Sequence, residues 1–399
     1  MLKVLFVIAD FTGCGEYRCI KPAKELTKQG MIEADYSISI RPEHMKYYDL
    51  FVFQRAALPN MKEIVTQLKR RKRPILYEID DDLFTIPFGN DARHYFSNDK
   101  KQTAKDIMKM CDGVITTTSY LKEKIAKSYN KNVYVIPNYL DKNLWQGVEK
   151  EKNNKLTIGW AGTTTHYGDL RTHCSTIKQM LNQHDIEARF IGFVPPDFVD
   201  EEEYPNLLKV MQNLVKKEEE YQVSDRVKFV PFGPYNDYPR KLAKIDIGLA
   251  PIEDNQFNRS KSDIKILEYN YLGIPCVASK VENYVRAAED GAGVLIAKNP
   301  SKWIQHLNKL IIDESFRDQI IEKGKDWATK RWVQDNVYQW MMVFADIMKN
   351  YPFAEQIFGP QPKPNLLQDE EEARQKMEKV QQMASDDVID SVRRYWEGI

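Results

Sequence analysis

Short apolar runs alternate with longer amphipathic stretches along the whole chain, the pattern of βαβ units that build a parallel sheet. In the first half the runs predict strands over Lys3–Ala9, Tyr36–Ile40, Leu50–Phe53, Ile75–Ile79, Gly113–Thr117 and Val133–Pro137. Helical periodicity lies between several of them, as in Pro22–Gln29 and Lys62–Lys72. The polar stretch Asp141–Lys155 follows, and its charge without apolar periodicity predicts a linker. The pattern then restarts, with strands predicted over Leu156–Ala161, Ala188–Phe193, Val227–Phe232, Ile247–Pro251, Cys276–Ser279 and Gly293–Ile296. Helices over Glu314–Lys325 and Trp332–Lys349 come after this second set. The predicted fold class is α/β: two Rossmann-like doubly wound domains, 1–145 and 146–330, facing a cleft where such sheets bind ligands. A helix at 331–350 and a tail at 351–399 complete the expected division. The tail opens on the breaker Gly359-Pro360-Gln361-Pro362-Lys363-Pro364, and Asp369–Tyr395 is highly charged and helical in pattern. It reads as a solvated appendage or as an oligomerisation or partner-binding helix.

Length and charge narrow the picture. A chain of 399 residues can fill two cores. Its 58 basic and 58 acidic residues cancel, so no global field recruits nucleic acid or an anionic membrane. The five cysteines, Cys14, Cys19, Cys111, Cys174 and Cys276, are odd in number and scattered, which argues against a disulfide framework or a zinc site and fits a reduced, cytoplasmic setting. The first ten residues turn polar too quickly for a signal peptide, and no apolar run approaches the ~18 residues of a membrane span.

Five segments could carry chemistry. The most informative is 257–279, in which a polar loop ending at Lys261-Ser262 opens a short helix that closes at Gly273. Lys265 and Glu268 share one face of that helix, while Ile264, Leu267 and Tyr271 point toward a core. Amide donors beside a lysine suit a diphosphate, and a fixed carboxylate one turn on suits sugar or ribose hydroxyls. After the first strand, Gly13-Cys14-Gly15 lets the backbone turn sharply. It is not a dinucleotide fingerprint, because Arg18 stands where the third glycine belongs. Arg18 is the natural charge to face a phosphate or an acidic acceptor, or it forms a surface salt bridge. At the start of the second sheet, Gly162 with Thr163, Thr164 and Thr165 offers amides and hydroxyls, and His166 an acid, a base or a structural hydrogen bond. Asp80-Asp81-Asp82 at a strand end could hold a cation, cap the next helix or orient an acceptor hydroxyl. Lys69–Arg73 is a run of five cations before Pro74, which a helix C-terminus favours. It also leaves a polyanionic acceptor or an anionic membrane surface open as partners.

Over its whole length, 257–279 resembles the donor-binding segment of GT-B glycosyltransferases, especially the retaining, family 4-like enzymes. Val135–Asp141 resembles the Pro-Asn-x-x-Asp stretch before their interdomain hinge. The resemblance implies transfer of a sugar from a nucleotide diphosphate sugar such as a UDP-sugar to an acceptor. That acceptor could be a glycan, a lipid-linked sugar, a protein or a modified nucleic-acid base. It implies retention of configuration, no side-chain nucleophile, no required cofactor or metal, and a last helix crossing back to the first domain. By position it puts the phosphate-binding role on Lys261 and the ribose-binding role on Glu268, helped by Gly162, Thr163, Thr164, His166, Arg259 and Ser262. Phe232 and Gly233 fall near the base. Gly13, Gly15, Arg18, Asp80, Asp81 and Asp82 form the acceptor wall or, in the glycine loop, face the donor diphosphate across the cleft, with Asp80 and Asp81 nearest the chemistry. Two departures stand out. The arginine and lysine that often grip the diphosphate near Gly162 are replaced by threonines. The glutamate expected eight positions before Glu268 is Ser260, for which Glu253 and Asp254 are weak substitutes. A nucleotide-sugar epimerase on the same architecture, or a catalytically silent nucleotide-sugar binder, remains an alternative.

Overall fold

The computed structural model describes residues 1–88, 90, 92–199, 220–231 and 233–366. The charged stretch Asp369–Tyr395 and Phe232 lie outside the described residues. The first sheet holds β1 (Lys3–Val7), β2 (Glu33–Ser37), β3 (Leu50–Gln54), β4 (Ile75–Ile79), β5 (Gly113–Thr116) and β6 (Val133–Val135) in the order β2-β1-β3-β4-β5-β6. Every pair is parallel. β3 and β4 are buried along their whole length, as continuous apolar runs in a sheet covered on both faces must be. The second sheet holds β7 (Thr157–Ala161), β8 (Glu187–Ile191), β9 (Tyr221–Ser224), β10 (Val227–Val230), β11 (Ile247–Ala250), β12 (Cys276–Ser279) and β13 (Val294–Ala297) in the order β13-β12-β11-β7-β8-β10-β9. Strand order reverses at β1 in the first sheet and at β7 in the second. Both reversals create a crevice at the strand C-termini, where the loops carrying Gly13 and Gly162 emerge.

Three expectations need correction. β2 was expected over Tyr36–Ile40 but runs from Glu33 to Ser37. Its register is set by β1, whose last residue Val7 pairs with Ser37, so Ile38 and Ile40 pack beyond the ladder. β9 was not anticipated. Polar Gln222 and Ser224 hide it, because an antiparallel edge strand buries little of its surface. The polar loop expected to end at Lys261 is instead a helical turn, Gln256–Ser260, started by Asn255, whose side chain accepts from the Asn258 amide at 2.9 Å.

The chain crosses between lobes twice, side by side. Leu140 N–H donates to Arg331 O at 3.0 Å and Val333 N–H to Leu140 O at 2.8 Å. Leu140 and Trp145 pack into the second lobe's core. The helix Tyr338–Met348 returns Trp340, Val343, Phe344 and Ile347 to the core that holds Val4 and Phe6. The Phe6 and Trp340 rings meet edge to face at 5.4 Å. The segment beyond is fastened to the first lobe as well. Tyr351 OH donates to Asp112 at 2.5 Å, Ala354 N–H to Asp49 at 2.5 Å, and Lys363 lies 2.8 Å from Asp35 and 3.0 Å from Glu33 on the edge strand β2.

The five-cation run is therefore not five surface charges. Lys69 pairs with Asp112 at 2.6 Å, and Arg73 is fully buried with a bond to Pro352 O at 3.3 Å. Only Arg70, Arg71 and Lys72 are exposed. Among the described residues no helix is long and apolar enough to cross a membrane.

Candidate active site between the two lobes

The second lobe supplies a helix, Ile264–Tyr271, that begins after Asp263 and stops at Gly273, whose φ of +69° suits a glycine cap. Ile266, Leu267 and Tyr269 anchor it in the core, whereas Ile264 and Tyr271, expected inside, are half-buried. Glu268 is 5 % exposed yet fully bonded: Tyr17 of the first lobe donates to Oε1 at 2.7 Å and Tyr238 to Oε2 at 2.9 Å. Burial pushes its pKa up, against the charge of Lys265 and the two hydroxyls. Lys265 lies 5.7 Å from the Trp160 ring centroid and donates to Ala161 O at the end of β7. Lys261, just before the helix, reaches across the cleft to Asp81 at 2.9 Å and packs over the Phe257 ring. Burial disfavours its charge, but Asp81, Asp169 and Asp80 together outweigh that and raise its pKa.

The loop after β7 approaches closely. A Cβ on Gly162 would lie 2.4 Å from the Trp160 ring, so only glycine fits there. Thr163 and Thr165 share a hydrogen bond of 2.6 Å, and Thr164 is buried. His166 Nδ1 lies 3.2 Å from Asp169, and burial lowers its pKa. Ser262 accepts from Asn138 at 2.8 Å across the hinge. Gly233 is exposed beside Lys241. Arg259 is turned away from this cluster: it pairs with Asp254 at 2.6 Å and is 45 % exposed, in an outer groove with Tyr120, Glu282 and Arg286. This placement does not put it in the phosphate grip expected of it, since two of its three guanidinium nitrogens, Nε and Nη2, donate to Asp254.

In the first lobe Gly13-Cys14-Gly15 is the first turn of a helix that runs on through a π-helical stretch, Glu16–Ile20, into Lys21–Lys28. Gly15 passes so close to Asp10 that a Cβ would sit 1.9 Å from its carbonyl oxygen, while Gly13 borders open space. The wider π turn aims Tyr17 at Glu268 and Arg18 at β4, a local distortion of the kind found at functional sites. Arg18 does not face a phosphate or an acceptor. It is 2 % exposed, bonded to Glu78 at 2.7 Å, Ile136 O at 2.8 Å and Asn138 at 3.0 Å. Asp82 is likewise removed from the acceptor wall: it is fully buried and holds Lys124 and Thr85 of its own lobe. Asp80 and Asp81 do border the cleft. Burial works against the Asp80 carboxylate, yet Arg55 holds its pKa below the usual range. Burial pushes the Cys14 thiol well up, and the nearby charge of Asp80 adds to that, so it stays protonated.

Sequence reasoning missed Tyr17, Tyr238, Asp169, Asp10 and Arg55. Arg55 directly follows β3 with φ of 47°, a strained value for a residue with a side chain, and pairs with Asp10. No local motif marks it, because its partners come from other strand ends. Ser260 is fully buried. It accepts from the Asp82 amide at 3.0 Å and donates to Phe257 O at 2.6 Å, while Thr118 bonds its carbonyl at 3.1 Å. A glutamate there would collide with the facing lobe. Lys261–Asp81, Ser260–Asp82 and Tyr17–Glu268 thus hold the two lobes together around one cleft. Tyr17→Phe is expected to cost about 1.5 kcal/mol of stability, the worth of a hydrogen bond to a charged group, read by urea unfolding. A change within error would show that the lobes do not depend on it.

Comparison with known proteins agrees with this geometry. Residues 141–327 match the family described as Glycosyl transferases group 1. No curated protein sequence matches the chain. Among solved structures, sucrose-phosphate synthase from Thermosynechococcus elongatus is similar with a TM-score of 0.60 and 13 % identity, over 87 % of this chain and 99 % of that one. Anabaena Alr3699/HepE in complex with UDP and glucose gives 0.59 and 16 %, over 87 % and 100 %. An alpha-glucosyltransferase in complex with UDP-glucose and DNA containing an abasic site gives 0.61 and 13 %, over 88 % and 100 %. The chain therefore has the two-lobed GT-B fold, and its residues 141–327 match the family of group 1 glycosyl transferases.

Proposed function

We propose that the chain transfers a hexosyl or pentosyl group from a UDP-sugar to an acceptor hydroxyl, with retention of configuration, in the cytoplasm. The observation that carries this reading is that Lys261, just before the helix Ile264–Tyr271, and Glu268 on it both meet the first lobe across the cleft, at Asp81 and at Tyr17, on the side of the strand reversal at β7. The bound UDP and UDP-glucose named for similar structures support the choice of nucleotide. Glu268 would take the ribose hydroxyls in exchange for those of Tyr17 and Tyr238. Lys261 and the N–H groups opening the helix would neutralise charge as the diphosphate departs, so that neither a metal nor a cofactor is needed. Asp80 and Asp81 would orient the acceptor hydroxyl, which attacks the anomeric carbon from the face that UDP leaves. The five cysteines, all unpaired, support the cytoplasmic assignment.

A thermal-shift screen of UDP, GDP, ADP and their sugars tests this directly, because a ligand that binds the folded state raises its melting temperature. UDP and at least one UDP-sugar are expected to stabilise the protein, and Glu268→Ala to abolish the shift. An unchanged shift in that variant would remove Glu268 from the site. Turnover of the UDP-sugar with no acceptor present to another UDP-sugar would favour an epimerase. Binding with neither transfer nor hydrolysis across an acceptor panel would favour a silent binder.

A further inference from the structure

We propose that His166 accepts a hydrogen bond from a hydroxyl of the donor sugar and that Asp169 positions it to do so, in place of the glutamate that Ser260 lacks. This rests on the reading of the cleft as a UDP-sugar site. Asp169 is 7 % exposed and joins three parts of that site: Oδ1 accepts from the Glu253 amide at 2.8 Å after β11 and from Asn258 Nδ2 at 2.7 Å on the helix before Lys261, and Oδ2 meets His166 Nδ1 at 3.2 Å. A carboxylate can only accept here, so the ring proton sits on Nδ1 and Nε2 presents a lone pair. Nε2 bonds no described residue.

The ring is neutral. Burial disfavours the imidazolium most; Asp169 opposes it, Lys261 and Lys265 reinforce it, and the pKa stays below the ordinary histidine value. A lone pair on a neutral ring selects a donor, which a diphosphate oxygen is not. Next to the lysine assigned to the diphosphate, with the ribose assigned to Glu268, the hydroxyl within reach belongs to the sugar. The usual reader is excluded by packing, because Ser260 Oγ already accepts from Asp82 and donates to Phe257 O. Lys265 is bonded to Ala161 O.

The test is calorimetric titration of the full chain with UDP and with UDP-glucose, UDP-galactose and UDP-N-acetylglucosamine, using the sugar nucleotide that wild type binds most tightly. His166→Ala is expected to weaken that UDP-sugar about tenfold while changing UDP less than about twofold, the scale of one hydrogen bond. His166→Gln, whose amide oxygen can occupy the Nε2 position, is expected to restore most of the loss. Asp169→Asn, which turns the ring proton onto Nε2, is expected to show the same selective loss as His166→Ala. Equal weakening of UDP and UDP-sugar, no weakening, or loss without rescue by glutamine would overturn the role of His166 alone. A wild-type protein that binds no UDP-sugar overturns both this role and the donor site on which it rests.

Discussion

Replacing Lys261 by alanine is expected to lower UDP release from the preferred UDP-sugar about 100- to 1,000-fold, the usual effect of removing one preorganised group from a developing negative charge. Lys261 has two connections, and their magnitudes differ. Its pair with Asp81 is partly open to solvent, with side chains 15 % and 26 % exposed. Such a pair contributes about 1 kcal/mol or less. If holding the lobes together were its whole task, Lys261→Ala would add nothing to the damage done by Asp81→Asn. Charge stabilisation on the leaving diphosphate is worth about 3–4 kcal/mol and belongs to the ammonium alone. The loss is therefore expected mainly in kcat, with UDP affinity falling less. Initial rates of Asp81→Asn and of the Asp81→Asn/Lys261→Ala double variant decide the matter: a double variant no slower than Asp81→Asn alone would reduce Lys261 to a tether.

What the sequence made legible follows from how each feature is encoded. Continuous apolar runs such as Leu50–Gln54 and Ile75–Ile79 announce themselves as buried parallel strands, so two doubly wound sheets could be read from one chain. Edges were harder. β2 slid by three residues because its ladder is dictated by β1 and not by its own Tyr36-x-Ile38-x-Ile40 alternation. Charge proved the least legible property. Arg18, Asp82 and Arg259 looked available in sequence, yet each meets a partner that no motif announces: Glu78 sixty positions away, Lys124 forty-two away, and Asp254 five away on an outer groove. The same blindness hid Tyr17. Its hydroxyl reaches Glu268 only because a π turn and the opposed lobe bring together positions 251 apart. Ser260 shows the converse. Its departure from the resemblance was plain in sequence, but the reason, a buried seam against the Asp82 loop, exists only in three dimensions.

Removing Arg18 is expected to destabilise the fold by about 3–5 kcal/mol, the cost of leaving a buried partner charge uncompensated. Glu78 is that partner. It is fully buried on β4, and Arg18 also binds Ile136 O and Asn138 where the chain enters the hinge. Burial raises the Glu78 pKa from 4.5 to about 7, even with Arg18 and Arg55 opposing the shift. Because the folded state holds this proton more tightly than the unfolded chain, stability from Glu78 is present below about 4.5 and is lost as pH rises through about 7. Arg18→Met removes the strongest opposing charge, so the variant's loss extends to higher pH. Its deficit against wild type, measured by urea unfolding, is expected to be small near about pH 5 and several-fold larger near about pH 8. Adding Glu78→Gln to Arg18→Met should recover most of the deficit at about pH 8, since an amide leaves no charge behind. A deficit that is equal at both pH values, or that the second substitution leaves untouched, would mean that Arg18 acts through its packing on the Trp340 ring, 5.8 Å away, and not through its charge.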